Sequence, residues 1–172
     1  MTSVSAAPHP ELARTQALVY QPAGLALADV QVEAESAEYG AARFVLDGRP
    51  VRFRVARITP TKIGQFVTLW KRIDGGEIQP FDAADADQLF IVTVRRGEDF
   101  GQFVFPKAAL RRHDVIALDG RGGKRAMRVY PPWDRPASRQ AEKTQQWQAD
   151  YFLAIPGDGR VDTARAAKLY AA

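Results

Sequence analysis

A chain of 172 residues with 24 Lys and Arg, 20 Asp and Glu, two His and no Cys is sized for one well-buried domain. The missing cysteine excludes disulfides, thiolate chemistry and cysteine-based zinc sites, and His9 and His113 are too isolated for a histidine metal site. No apolar run approaches the roughly 18 residues of a membrane span, and MTSVSAAPHPELARTQ lacks the basic and apolar regions of a secretory leader, so a cytoplasmic protein is expected.

The spacing of Leu12, Leu18 and Val19 predicts a helix over Pro10 to Leu18, and Ser36 is placed to cap a short turn into Glu38 and Tyr39. AARFVLDGRPVRFRVARI then reads as a hairpin, because Asp47-Gly48 sits between two alternating runs. Val51, Phe53 and Val55 point one way along its second strand, and Arg52 and Arg54 the other. Thr59-Pro60-Thr61 breaks that strand, and FVTLW starts another. IDGGEIQPFDAADAD reads as an acidic loop, LFIVTV as a wholly apolar strand, RRGEDFG as a turn, and QFVFP as the strand that pairs back. A short helix follows over Lys107 to Arg112. DVIAL and RAMRVY read as strands around DGRGGKR, a helix runs from Ser138 through QAEKTQQWQADYFL, and DTARAAKLYAA forms a last helix. The whole is an α+β domain spanning 1–172, with a central mixed or antiparallel sheet flanked by helices and peripheral helices in 1–20 and 155–172.

Charge is segregated along the chain. Residues 1–48 hold six acids against two bases, whereas Gly48 to Ile73 hold no acid and seven bases. Asp74, Glu77, Asp82, Asp85 and Asp87 then precede a second basic region. Such blocks favour a polyanion-binding face, unless folding brings opposite blocks together and neutralises them. The tetrapeptide GQFV occurs at 64–67 and 101–104 with unlike flanks, so it is a repeated device rather than a repeated module. Each glycine is expected to start a strand of the same sheet.

EYGAARFVLDG, RFRVARITPTKIGQFVTLWKR, IQPFDAADADQLFIVTV, GQFVFPK, GGKRAMRVYPPWD and QAEKTQQWQADYF resemble, in order, the blocks of the MepB family over roughly residues 35–153. The resemblance implies a small cytosolic protein linked to a multidrug resistance operon. It also implies an α/β fold like that of restriction-endonuclease-type nucleases, and nucleic acid as partner. The family pattern carries lysine where this chain has Arg57.

A nuclease of that type needs acids on adjoining strands to hold Mg²⁺, and a nearby lysine. Asp87, Gln102 and Lys107 follow the acid–strand–turn–strand–lysine order, with an amide in place of the second acid. Glu38 with Arg57 and Lys62 forms a second set. Arg57 shares the inward parity of Val51 and Phe53, which favours a buried Glu38–Arg57 ion pair, and Glu38→Ala is then expected to destabilise more than Glu33→Ala. No cofactor is required, and Mg²⁺ only for cleavage. Nucleic-acid binding asks for less: Arg52, Arg54, Arg57, Lys62, Lys71 and Arg72 beside Trp70, extended by Lys124, Arg125 and Arg128, with GRGGKR offering backbone N–H groups to a phosphate. GRGGKR lacks the Ser or Thr of a Walker loop. The alternative from another class is a pocket for cationic drugs, walled by aromatics and acids.

Overall fold

The Asp47-Gly48 step does what its composition predicts: both residues take positive φ, 50° and 83°, which matches the twist of a two-residue hairpin. The computed structural model describes residues 7–172; positions 1–6 of the predicted N-terminal helical segment lie outside them. Its strands are β1 (Leu27–Val32), β2 (Ala42–Leu46), β3 (Arg49–Val55), β4 (Arg57–Ile58), β5 (Gln65–Thr68), β6 (Trp70–Arg72), β7 (Ile78–Pro80), β8 (Leu89–Arg96), β9 (Asp99–Pro106), β10 (Ala126–Val129) and β11 (Phe152–Ala154). The helices are α1 (Pro10–Thr15), which widens into a further turn over Gln16–Tyr20, α2 (Lys107–Arg112), α3 (Arg139–Ala149) and α4 (Thr163–Ala171). No helix among the described residues is long and apolar enough to cross a membrane.

One mixed sheet runs in the order β1-β2-β3-β8-β9-β11, with β3 and β8 parallel and its other neighbours antiparallel. The unbroken apolar run of β8 reflects burial on both faces. Leu89 and Ile91 join a core with Leu12, Tyr20, Leu169 and Tyr170 from the terminal helices. Phe90, Val92 and Val94 join a second core with Val67, Leu110, Met127 and Val129. That second face is covered by a three-stranded sheet, β10-β5-β4, inserted between β3 and β8 in part and completed from beyond α2. The domain is therefore α+β with one mixed sheet between two covering layers.

Several sequence expectations need correction. FVTLW does not form one strand: Leu69 turns inward and donates its N–H to Arg125 O, so β5 and β6 belong to different sheets. DVIAL is buried through Val115 to Ala117 but makes an isolated bridge rather than a ladder. The acidic stretch contains β7. The helix from Ser138 ends before Phe152, which pairs instead with Phe103 and closes the open edge of β9. The GQFV copies lie in different sheets. Gly64 does precede a strand, with φ +85° and a Tyr130 ring 2.8 Å from where a Cβ would stand. Gly101 lies inside β9, where a Cβ would fall 2.4 Å from Phe152. Two different steric demands have produced the same four letters.

Candidate functional site

The arginine strand turns its basic side toward the second core, with Arg54 buried and Arg52 half-buried. Arg52 and Arg54 do point away from Val51 and Phe53, but that side of the sheet is the second core, where both guanidinium groups lie over Phe81, at 5.0 and 6.0 Å. Arg52 Nη1 donates to Glu33 Oε2 (2.9 Å) and its Nε to Asp87 Oδ1 (3.1 Å). Arg54, 1% exposed, donates from Nη1 to Glu33 Oε1 (3.1 Å) and to Phe53 O (2.9 Å). Burial pushes the Arg54 pKa down, the Glu33 carboxylate opposes this, and Arg54 Nε finds no acceptor among the described residues. Two cations thus meet two carboxylates in a closed cluster. The expectation of a phosphate-binding strand face is overturned for this pair.

The acid partner of the buried arginines is Glu33, not Glu38. Glu38 sits exposed in the turn Ala37–Tyr39. Arg57 is also exposed, because the main ladder ends at Ala56, whose N–H donates to Thr93 O, and β4 leaves for the small sheet. Strand parity read through that break assigns Arg57 to the wrong face.

The other nuclease candidates are not brought together. Gln102 is fully buried on the face of the terminal helices, donating to Thr93 and Thr15 Oγ1 and accepting from Tyr20 and Tyr170. Burial raises the pKa of both tyrosines, so they remain hydroxyl donors to the amide. Asp87 and Lys107 do meet one end of the sheet, but each is engaged in holding the fold. Asp87 accepts from Arg52, and Lys107 Nζ donates to Ala83 O (3.1 Å) and Asp85 O (2.5 Å). Among the described residues no group of three or more His, Asp or Glu is placed to hold a metal. These residues do not fit a Mg²⁺ site.

The remaining basic residues divide. Lys71 pairs with Asp85 and Arg72 with Glu35, both at 2.6 Å, and Arg72 lies 5.7 Å from the Trp70 ring. GRGGKR does not present a free nest: the N–H of Gly120 donates to Asp82 Oδ2 (2.7 Å) and that of Gly123 to Asp114 Oδ1 (3.0 Å). Arg125 lines a small recess beside Asp82. Lys62, Lys124 and Arg128, in contrast, converge on a cleft of about 600 Å³ that also takes in Phe66, His113, Tyr130, Thr144, Trp147 and Gln148. No carboxylate lines it, and none of the three cations has an acidic partner among the described residues.

Local sequence explains how the cleft is built. Along β10, Met127 and Val129 enter the second core, Met127 at the cleft's margin, while Ala126, Arg128 and, just past the strand, Tyr130 face the cleft. Opposite them, Phe66 of β5 pairs across the strands with Arg128, whose guanidinium lies 5.8 Å from its ring. Arg128 Nη1 also donates to Thr59 Oγ1 (3.0 Å) and Gly64 O (3.2 Å), which fixes the Thr59–Gly64 loop and with it Lys62. The far wall is α3, begun by Ser138, whose Oγ accepts from Ala141 N. Gln148 docks that helix on the open edge of β10, accepting from Tyr130 N (2.8 Å) and donating to Arg128 O (3.1 Å). The amide therefore continues the ladder as a strand would. Gln145, one turn earlier, donates to Pro131 O and Asp134 O. His113 stacks on Trp147 at 3.9 Å and 6°, and burial, with a smaller push from Arg112, lowers its pKa. Sequence reasoning misses the role of Gln145 and Gln148; their three-residue spacing on one helix face is the available signal.

These features define a small α+β protein with a basic, aromatic-walled cleft between a helix and the edge of a covering sheet. The chain belongs to the MepB-like family, whose profile matches residues 33–154, a span that contains every cleft-lining residue. A crystal structure of MepB is similar over 85% of this chain and 97% of that one, with a TM-score of 0.72 and 29% sequence identity. A comparison with curated proteins finds no match.

Proposed function

We propose that this protein binds nucleic acid in the cleft formed by β5, β10 and α3, through Lys62, Lys124 and Arg128. The observation that carries this reading is a contrast in pairing. Arg52, Arg54, Lys71 and Arg72 are already neutralised by acids, whereas the cleft cations are not. Unpaired cations beside aromatic edges suit a phosphate backbone with bases attached. A cationic drug would meet three like charges there and no carboxylate, which disfavours the small-molecule alternative at this site. Asp87 and Lys107 share one end of the sheet but are engaged by Arg52 and by backbone carbonyls, and Glu38 and Gln102 lie elsewhere, which disfavours metal-assisted cleavage.

Fluorescence anisotropy of labelled oligonucleotides across a salt series tests the reading. Three phosphate contacts on a single strand give a log–log salt slope of about −2, from roughly −0.7 per contact. Lys62→Ala with Lys124→Ala should bring the slope to about −0.7 on the same arithmetic, whereas Arg72→Ala should leave it unchanged. Salt-insensitive binding, or equal loss in both variants, would refute the cleft as the interface. A gel of the same samples with Mg²⁺ or EDTA should show intact oligonucleotide in each.

A further inference from the structure

The outer strands β1 and β2 leave a groove on the face of the main sheet that carries Arg52. It measures about 450 Å³ and shares no lining residue with the basic cleft. Strand register builds it. Gln31 stands opposite Arg43 and Arg43 opposite Arg52, while Val45 stands opposite Pro50 one strand repeat along. Phe44 and Val51 turn to the other face, into the first core. The floor is thus an apolar step, Val45 and Pro50, beside a charged one. Most of its charges are already matched: Arg52 Nε meets Asp87 at 3.1 Å, and Lys71 Nζ meets Asp85 at 2.6 Å.

Two exposed groups are left over, Arg43 and Asp29. Arg43 donates from Nε to Gln31 Oε1 at 2.7 Å, a neutral acceptor that fixes the guanidinium and keeps its charge. Both of its Nη groups are without a partner among the described residues. Asp29 occupies the register break between Ala28 and Gln31, at φ 56°. Aspartate tolerates that left-handed angle better than most residues, and the bulge takes its side chain out of the β1 alternation to the rim of the groove. Its carboxylate has no ion pair among the described residues.

We infer that this groove binds a small zwitterion with an apolar body, of the free amino-acid class, its carboxylate on Arg43 and its ammonium on Asp29. The two open charges have opposite sign, line one recess and do not pair with each other, so a ligand carrying both signs satisfies each. The planar pair of Nη groups suits a carboxylate, and Val45 with Pro50 suits an aliphatic side chain. An anion alone would meet Asp29 as well as Asp85 and Asp87, and a cation alone would meet Arg43. A phosphate chain is disfavoured on the same ground.

The probes are L-leucine, N-acetyl-L-leucine and L-leucinamide, which share one apolar body and differ in charge, titrated into the protein and read by amide NMR. Leucine should shift resonances of β1 and β2 with a Kd of about 1 mM, and each singly charged analogue should bind about tenfold more weakly for the loss of one charge-assisted contact. Arg43→Gln should lower leucine affinity to the level of leucinamide, and Asp29→Asn to that of N-acetyl-leucine. Both residues are exposed and asparagine accepts the φ of Asp29, so loss of folding does not confound either variant. Leucinamide bound as tightly as leucine would make the groove a cation site, and N-acetyl-leucine bound as tightly an anion site; either overturns the zwitterion. So does the absence of any shift with leucine, or a pair of variants that bind it as wild type does.

Discussion

Glu33 is the residue on which the interior electrostatics turn. Its carboxylate bridges Arg52 and Arg54, and it is the acid that contacts Arg54. Removing it leaves a guanidinium that is 1% exposed with a backbone carbonyl and a phenyl face as partners. Breaking a buried pair on one side costs about 3–5 kcal/mol. Glu33 is 23% exposed and Asp87 still holds Arg52, so water and the second acid relieve part of that, and we expect Glu33→Ala to cost roughly 2–3 kcal/mol. For a domain of this size each kcal/mol shifts the midpoint by about 2–4 °C, giving a Tm lowered by roughly 4–12 °C. Glu38→Ala, at an exposed turn, should stay within about 0.5 kcal/mol. Differential scanning calorimetry of the two variants side by side is the assay. Adding Arg54→Met to Glu33→Ala should recover much of the loss, since an apolar chain needs no counter-charge beside Phe81. Equal melts for the two single variants, or a double variant less stable than Glu33→Ala, would mean that Glu33 does not hold the buried arginines.

Gln148→Ala should cost about 2–3 kcal/mol in urea melts, because Tyr130 N–H and Arg128 C=O both lose their partner, while exposed Gln146→Ala should be neutral. Gly64→Ala should destabilise clearly more than Gly48→Ala: both need positive φ, about 1–2 kcal/mol for a residue with a Cβ, but only Gly64 also faces the Tyr130 ring and Val129 O. The His113 imidazole should titrate by NMR below the ordinary value of about 6.5, so it favours the neutral folded form. Stability it contributes is present above that value and lost as pH falls through the folded pKa, and His113→Phe should flatten that part of the pH–stability curve. A midpoint at or above the ordinary value would contradict its packing against Trp147.

Local signals carry most of the fold. Asp47-Gly48, the apolar run of β8 and the alternation in β10 each act over a few residues, and each forms the element its pattern predicts. What fails is parity carried across an interruption, and any inference about what faces an element. Arg57 follows the Val51–Phe53–Val55 rhythm in sequence, but Ala56 ends that ladder. Arg52 and Arg54 do lie opposite to Phe53, yet alternation does not say whether the other face meets water or a second core. The strand identity of Phe152 is hidden for a related reason: the edge of β9 that recruits it lies about fifty residues away in sequence, and no periodicity within QADYFL records that demand. At the site, the sequence offers Lys62, Lys124 and Arg128 on the same terms as Arg52, Arg54, Arg57, Lys71, Arg72 and Arg125; the convergence of the three depends on Gln148 and Gln145 docking α3, which is a tertiary event.

The same basic blocks therefore yield two kinds of cation, and the difference decides where an anion can bind. For a phosphate to use Arg52 or Arg54 it must displace Glu33 or Asp87, forfeiting charge-assisted bonds at 2.9–3.1 Å and leaving a carboxylate unpaired beside the incoming anion. The arriving contact can at best replace what it breaks, and the repulsion from Glu33 remains. Lys124, whose ammonium has no protein partner among the described residues, would give up only water to an anion. Among the described residues the Lys62 ammonium likewise has no protein partner to release, and Arg128 is oriented by neutral acceptors, Thr59 Oγ1 and backbone carbonyls, that do not cancel its charge. Neutral acceptors fix a guanidinium in place while leaving its field directed into the cleft. Pairing with carboxylates fixes it equally well and removes the field. A net charge of +4 conceals this distinction, and the partners of each cation, more than its number of like-charged neighbours along the chain, decide which cations would be open to an anion.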